Sequence, residues 1–512
     1  MRKIRLLFGL LMAAVLANIA SGPALKAAPN GSPPRPNIVF ILTDDLDTRY
    51  PEGTWVNRFP RLRTILSDQG TTFKNNFVTL SLCCPSRTSI LRGQYAHNTQ
   101  IFTNASPGGG FQKAHDLGLE DSTFATWLQE AGYKTVLLGK YLNGYPGNLG
   151  RSYVPPGWDE WYSGQRNQYQ QFNYDMNENG KIVSYGSAPE DYLQDVIRGK
   201  ATDFIRRTAN EGRPFMMWMT TYSPHQPATF APRHADRFPN ARAPRPPTFN
   251  QPDVSHMPSW VQNRPLLGAA QIRTIDALHQ KRLKSMVAVV ETIDDIINTL
   301  RETGQLDNTY IFFSSDNGFH LGQHRLPPGK NTEFEEDLHV PLIVRGPGVP
   351  SGRVLEHMTV NIDLAPTFAE LAGIPIPANV DGRSLRPLLR ETPTPLADWR
   401  QGFLLEHGYI QTADAGRTSA DARSAAEAQR PYGLAGPLLP QPFQGLHIAN
   451  HVYVEYVPTG ERELYNLAED VYQQISLADT SEPELLQWLS AWLGTLRRCI
   501  GAECRRAEDI LP

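Results

Sequence analysis

The sequence has almost no net charge and almost no cysteine. Its 49 Lys and Arg against 52 Asp and Glu leave a formal charge of −3 over 512 residues. With no basic excess to neutralise a phosphate backbone, nucleic acid is excluded as the main partner. The cysteines are Cys83, Cys84, Cys499 and Cys504. Cys499 and Cys504 are the natural pair for a small C-terminal bridge, with two isolated thiols as the alternative. Internal repeats are absent, and so are apolar runs of membrane-spanning length. The stretch from Leu6 to Ile19 falls short of the ~20 apolar residues that a spanning helix needs. It follows Arg2, Lys3 and Arg5 and precedes small residues at Ala20-Ser21 and Ala27-Ala28. This layout reads as a secretory signal peptide over residues 1–28, with an uncleaved anchor as the alternative. No cysteine lies nearby to carry a lipid. The mature chain is therefore expected in the periplasm or outside the cell, without stable membrane insertion.

What is present is a set of buried strands that end in chemistry. Asn37 to Thr43 is a continuous apolar run, as in a strand buried on both faces of a parallel sheet, and it runs into Asp44-Asp45. Adjacent carboxylates at such a tip repel unless a cation neutralises them, although paired acids can also be a solvated turn. Three later strands share the pattern: Lys134 to Gly139 delivers Lys140, Phe215 to Thr221 delivers the Pro224-His225-Gln226-Pro227 turn, and Tyr310 to Ser315 delivers Asp316-Asn317-Gly318. Amphipathic segments precede them, the longest carrying Leu283, Met286, Val290, Ile293, Ile297 and Leu300 on one stripe. In open α/β sheets ligands bind beyond the carboxyl ends of the strands, so clusters far apart in sequence can converge there.

The chain exceeds one typical domain, and two domains sharing a large core are expected. An α/β catalytic domain over 29–399 precedes a smaller α+β domain over 400–512. The latter has strands at Gly402 to His407, His451 to Tyr456 and Glu463 to Leu467, a helix from Pro483, and a mobile polar insertion at 411–440. The proline- and arginine-rich stretch between His225 and Leu267 reads either as a binding loop or as a surface wrap.

One further stretch stands out: Leu82-Cys83-Cys84-Pro85-Ser86-Arg87-Thr88-Ser89-Ile90-Leu91-Arg92-Gly93. The proline and the apolar Ile90 and Leu91 predict a short helix with the cysteine at its mouth and Arg87 one turn further on, a geometry that suits an anion. A structural cysteine at a helix start, or a vicinal Cys83–Cys84 disulfide, are the alternatives. The motif Cys-x-Pro-Ser-Arg with a following Leu-x-Gly resembles the signature of the formylglycine-dependent sulfatases of the alkaline phosphatase superfamily. Only Cys83 has the right register, and Arg92 departs from the usual Thr or Ser.

The resemblance implies a large mixed, mostly parallel sheet sandwiched by helices, with a smaller C-terminal domain. It also implies that Cys83 is converted to formylglycine by a maturation enzyme. One calcium ion, or magnesium, would be held by Asp44, Asp45, Cys83, Asp316 and Asn317, an oxygen-rich set. Arg87, Lys140, His225 and Lys330 complete the implied catalytic group. In that family a hydrated aldehyde attacks sulfur, the alcohol leaves with a proton from the histidine, assisted by the second lysine, and the remaining hydroxyl expels sulfate. Here Tyr141-Leu142-Asn143 follows Lys140 where many sulfatases have Lys-x-His. The base for that last step is thus unassigned, with His320 and His324 as alternatives. This variant, Pro155 to Trp161, Asp316 to Gln323 and Cys499 to Arg505 are similar to the N-acetylglucosamine-6-sulfatases and extracellular heparan endosulfatases, which implies a 6-sulfated glucosamine substrate. Rival readings are an arylsulfatase of broad specificity, a phosphonate monoester or phosphodiester hydrolase of the same superfamily, and a non-catalytic carbohydrate binder.

Overall fold

The long apolar runs of the sequence form the centre of a ten-stranded sheet in the computed structural model, which describes residues 35–48, 58–408 and 441–510. In chain order its strands are β1 (Asn37–Thr43), β2 (Thr71–Phe77), β3 (Lys134–Gly139), β4 (Glu160–Gln165), β5 (Asp175–Glu178), β6 (Lys181–Ser184), β7 (Phe215–Thr220), β8 (Thr309–Ser315), β9 (Leu342–Arg345) and β10 (Arg353–Val360). They lie in the order β10-β2-β9-β8-β1-β7-β3-β4-β5-β6. The four strands predicted to end in chemistry are thus neighbours, β8-β1-β7-β3, and all run parallel. Antiparallel pairing appears on either side of them, at β8–β9, β2–β9, β4–β5 and β5–β6. The sheet is mixed and mostly parallel, as expected.

Alternation along these strands sends side chains to two cores. Phe40, Leu42, Leu137, Met216, Trp218 and Phe312 point to one face, where helices Cys83–Arg92, Phe124–Glu130 and Leu364–Leu371 cover them. Val39, Ile41, Val136, Leu138, Met217, Met219, Ile311 and Phe313 point to the other, beneath helices Leu193–Ala209 and Ala269–Glu302. Burial on both faces explains why these strands read as unbroken apolar runs. Each such side chain contributes roughly 1.5–3 kcal/mol through removal from water.

A second sheet of four antiparallel strands follows: β11 (Gly402–His407), β12 (Phe443–Ile448), β13 (His451–Tyr456) and β14 (Arg462–Asn466). Helix Pro483–Leu496 packs on it through Leu489, Trp492, Leu493 and Leu496. This core also takes in Phe77, Leu338 and Val360, so the small sheet is continuous with the large one through side-chain packing. Cys499 and Cys504 form a disulfide. The proline-rich stretch is not a loose wrap: it buries Ala243, Val254, Met257, Trp260 and Val261, and the Trp260 indole N–H donates to the Tyr456 hydroxyl at 3.0 Å. The signal peptide at 1–28 and the insertion at 411–440 lie outside the described residues. No helix among the described residues is long and apolar enough to cross a membrane.

Candidate active site

The register of the four central strands brings their tips level. Thr43 pairs with Ser315, Leu42 with Thr220, and Gly139 with Thr220 from the other side. Beyond this line the amide of Asp316 donates to the Thr43 carbonyl at 3.1 Å, and that of Asp44 donates to the Ser223 carbonyl at 3.1 Å. Asp45 takes a left-handed φ of 67° that turns the chain across the tips. Gly139 permits the close approach there, because a Cβ at that position would lie 1.9 Å from the Thr220 carbonyl oxygen. Lys140 follows directly, its amide donating to that carbonyl at 2.9 Å.

Cys83 is the first residue of helix Cys83–Arg92, after an extended Leu82. Its Sγ lies 3.6 Å from Asp44 Oδ1 and 2.6 Å from Lys330 Nζ. Cys83 and Cys84 are both free thiols, so the vicinal disulfide is not formed. One turn along the helix, Arg87 is fully buried and donates through Nε to Asp316 Oδ2 at 2.8 Å, and through Nη1 to the Lys140 carbonyl at 3.0 Å. Lys140 Nζ donates to Asp44 Oδ2 at 2.7 Å, and Lys330 Nζ donates to Asp45 Oδ1 in a short contact. Asn317 Nδ2 donates to Asp45 Oδ1 at 2.7 Å, and His225 Nε2 stands 3.7 Å from Asp45 Oδ2. All the site residues expected from the sequence are therefore brought together, with three acids facing three permanent cations.

The electrostatics follow from that balance. Burial by itself would push Asp44 and Asp45 up, but Lys140 at the first, Lys330 at the second and His225 beside both hold them below the ordinary carboxylate value. Burial pushes the Cys83 thiol up to about 12 in spite of the two lysines, which disfavours the thiolate. Burial also draws the His225 pKa down against the pull of Asp45 and Asp44.

Two buried oxygens, Asp45 Oδ2 and Asn317 Oδ1, have no hydrogen-bond partner among the described residues. Asp44, Asp45, Cys83 and His225 present ligand atoms within 4.8 Å of one another. Hard carboxylate and amide oxygens with unused lone pairs fit a calcium- or magnesium-type ion.

Sequence reasoning did not find several residues that shape the site. Arg282, buried on the long helix, donates through Nη2 to the Asp45 carbonyl at 2.7 Å. It sits on the face that carries Leu278 and Met286, and a charge on an apolar stripe was the available signal. Asp337 accepts from the Thr332 amide at 3.0 Å and lies 3.0 Å from His320 Nδ1, fastening the loop that carries Lys330. His320 therefore belongs to the frame of that loop, and His324 is buried in a stack on Phe334 with centroids 3.9 Å apart. Tyr169, between β4 and β5, places its ring 5.6 Å from Lys140 Nζ and 4.6 Å from the His225 ring.

Fold and site together define an α/β protein that gathers acids, cations and a helix-terminal cysteine at parallel strand tips to handle a tetrahedral anion. A sulfatase family model matches residues 36–374. The chain is 33% identical over 483 residues to human N-acetylglucosamine-6-sulfatase, covering 92% of this chain and 86% of that protein. It is 38% identical over 395 residues to an extracellular sulfatase SULF-1 homolog of Drosophila melanogaster, covering 74% of this chain. The chain spans only 34% of that relative's length and 52% of its Caenorhabditis elegans counterpart's. A solved structure of a protein in complex with its substrate D-glucosamine-2-N,6-O-disulfate superposes with a TM-score of 0.72 at 23% identity, covering 93% of this chain and 100% of that one. The chain belongs to the sulfatase family.

Proposed function

We propose that the protein is an exported hydrolase that releases sulfate from a 6-sulfated N-acetylglucosamine-type sugar. The observation that carries the reading is the position of Cys83: at a helix mouth, in contact with Lys330 and Asp44, where three acids and three cations converge. The sugar rests on the extent of the match to N-acetylglucosamine-6-sulfatase. Converted to formylglycine by a maturation enzyme, position 83 would supply a hydrated aldehyde, and calcium held by Asp44, Asp45, Asp316, Asn317 and residue 83 would supply a Lewis acid.

The chain's own residues then divide the work. Arg87, Lys140 and Lys330 are fixed by buried ion pairs before substrate arrives, so they meet the charge that builds on the sulfate oxygens without reorganising. His225 is partly open to solvent and stands where it can donate to the leaving oxygen; its lowered pKa strengthens the ring as an acid but reduces the share of protein that carries the proton. The division at 29–399 and 400–512 assigns all of these residues to the first part. The second part backs the loop that carries Lys330.

The test is sulfate release from N-acetylglucosamine 6-sulfate and from an aryl sulfate with calcium present, wild type against Cys83→Ala, with mass spectrometry of the peptide around position 83. Release from the sugar, lost in the variant, together with the aldehyde mass in wild-type protein from its native host, supports the whole reading. Release from the aryl ester alone removes the sugar. Faster turnover of a phosphonate or phosphate diester assigns the site to phosphoryl transfer. An intact thiol in active enzyme sinks the formylglycine.

A further inference from the structure

The loop between β4 and β5 belongs to neither the strand tips nor the cysteine helix, yet it reaches the site. Of its residues Arg166, Asn167, Gln171 and Asn173 all have positive φ, between 39° and 62°. Left-handed backbone at a non-glycine residue is disfavoured, least so at asparagine, and persists where surrounding structure over-determines it. The surroundings do so here. Asn167 Nδ2 donates to the Asn173 carbonyl at 3.2 Å, the Gln170 amide to Asn167 at 2.8 Å, and the Leu193 amide to Gln171 at 3.0 Å. Arg166 pairs with Asp175 at 3.0 Å. Gly164 lets the loop fold down, since a Cβ there would lie 2.8 Å from the Tyr222 hydroxyl and 2.9 Å from Gln168.

This pinned loop holds up one aromatic ring. Tyr169 lies over the Lys140 ammonium, tilts by 39° against the His225 ring and meets Tyr222 edge-on at 5.4 Å. The ring is half-buried and lies beside the two side chains that would hold the sulfate and protonate the leaving oxygen. A sugar attached to that oxygen would therefore lie within reach of the ring. A flat apolar face with a polar tip is suited to the C–H face of a pyranose.

We propose that Tyr169 is the specificity-determining residue of the site, its ring forming the wall against which the sugar of the leaving group packs. The inference rests on the reading of the protein as a sugar sulfatase and adds the residue that selects the sugar.

The test is made on Cys83→Ala protein, which binds without turning over. N-acetylglucosamine 6-sulfate is titrated calorimetrically into it, alone and combined with Tyr169→Ala, Tyr169→Leu or Tyr169→Phe. The expected result is an affinity about tenfold weaker for Ala and Leu, the size of one lost ring contact, with Phe restoring binding to within about threefold. In the active enzyme the loss of kcat/KM for Tyr169→Leu on the sugar sulfate should exceed its loss on methyl sulfate by about tenfold, because only the sugar reaches the wall. Equal losses on the two esters would reduce Tyr169 to a support for Lys140 and His225 and overturn the proposal. So would sugar binding that ignores position 169, or no binding to any of the proteins. Ring-dependent binding in a protein whose wild type releases no sulfate would remove the hydrolase reading and leave the wall standing.

Discussion

Among the regions of this molecule that bury carboxylates, two treat them in opposite ways. At the strand tips Asp44, Asp45 and Asp316 face Lys140, Lys330 and Arg87, and the first two are held below the ordinary carboxylate value. At the seam where the small sheet backs the Lys330 loop, Glu333 and Glu463 face tyrosines and each other. The Tyr456 hydroxyl lies 2.6 Å from Glu333 and 3.1 Å from Glu463, and Tyr465 donates to Glu463 at 2.9 Å. One phenol proton cannot serve both acids at once, so the second contact calls for a proton held within the Glu333–Glu463 pair. Burial raises Glu333 to about 7 and, together with Glu333, raises Glu463 well above its ordinary value. The same residue type is held toward its charged form where cations face it and pushed toward its neutral form where only phenols and another acid do.

Arg400 sharpens the contrast, because it is a fully buried cation outside the site. It makes a bidentate pair with Asp363 at 2.6 and 2.7 Å and a third bond to Glu508 at 2.9 Å. Arg400→Leu strands two buried acids and should cost about 3–5 kcal/mol in urea unfolding, with kcat/KM of the folded fraction unaffected. A loss of activity without a loss of stability would erase the distinction between the regions.

Lys330→Ala is the counterpart at the site. It removes a preorganised donor and should lower kcat/KM by about 10²- to 10³-fold, or ~2.7–4 kcal/mol. Retention of activity would place the anion elsewhere. Tyr456→Phe leaves Glu333 and the Trp260 indole without their shared partner, and an unfolding free energy lower by about 1–3 kcal/mol is expected. A further effect is on pH dependence. Glu333 titrates at 4.5 unfolded and about 7 folded, so its protonated form stabilises the fold fully below pH 4.5, and that stability is lost as pH rises toward 7. Unfolding curves between pH 4.5 and 7 should flatten in Glu333→Gln. The site aspartates have the opposite sign, since their depressed values give stability that is present above 3.8 and lost on acidification.

Legibility in the sequence follows burial. β1, β3, β7 and β8 were read to within a residue, because burial on both faces leaves an unmistakable apolar run. β2 reads Thr-Thr-Phe-Lys-Asn-Asn-Phe and β10 Arg-Val-Leu-Glu-His-Met-Thr-Val; with part of each exposed, polar residues interrupt the pattern, while β5, Asp-Met-Asn-Glu, is short and buries polar side chains instead of an apolar run. β12 went unread beside the insertion. Asp44, Asp45, Lys140, His225, Asp316 and Asn317 were legible as one cluster because each follows a readable strand. Arg282 and Tyr169 were not, since their partners lie 237 positions away for the Asp45 carbonyl and on separate strands for Lys140 and His225.

By itself the sequence determined which polar residues follow the buried strands and which cysteine opens a helix, because local apolar patterning and short motifs are properties of neighbouring residues. Only the tertiary structure decided that those strands are adjacent and level, that a strained loop sets Tyr169 over Lys140, and that one set of buried acids is held toward its charged form while another is pushed toward its neutral form. Strand order, register and local dielectric arise from contacts between distant segments, and no stretch of the chain contains them alone.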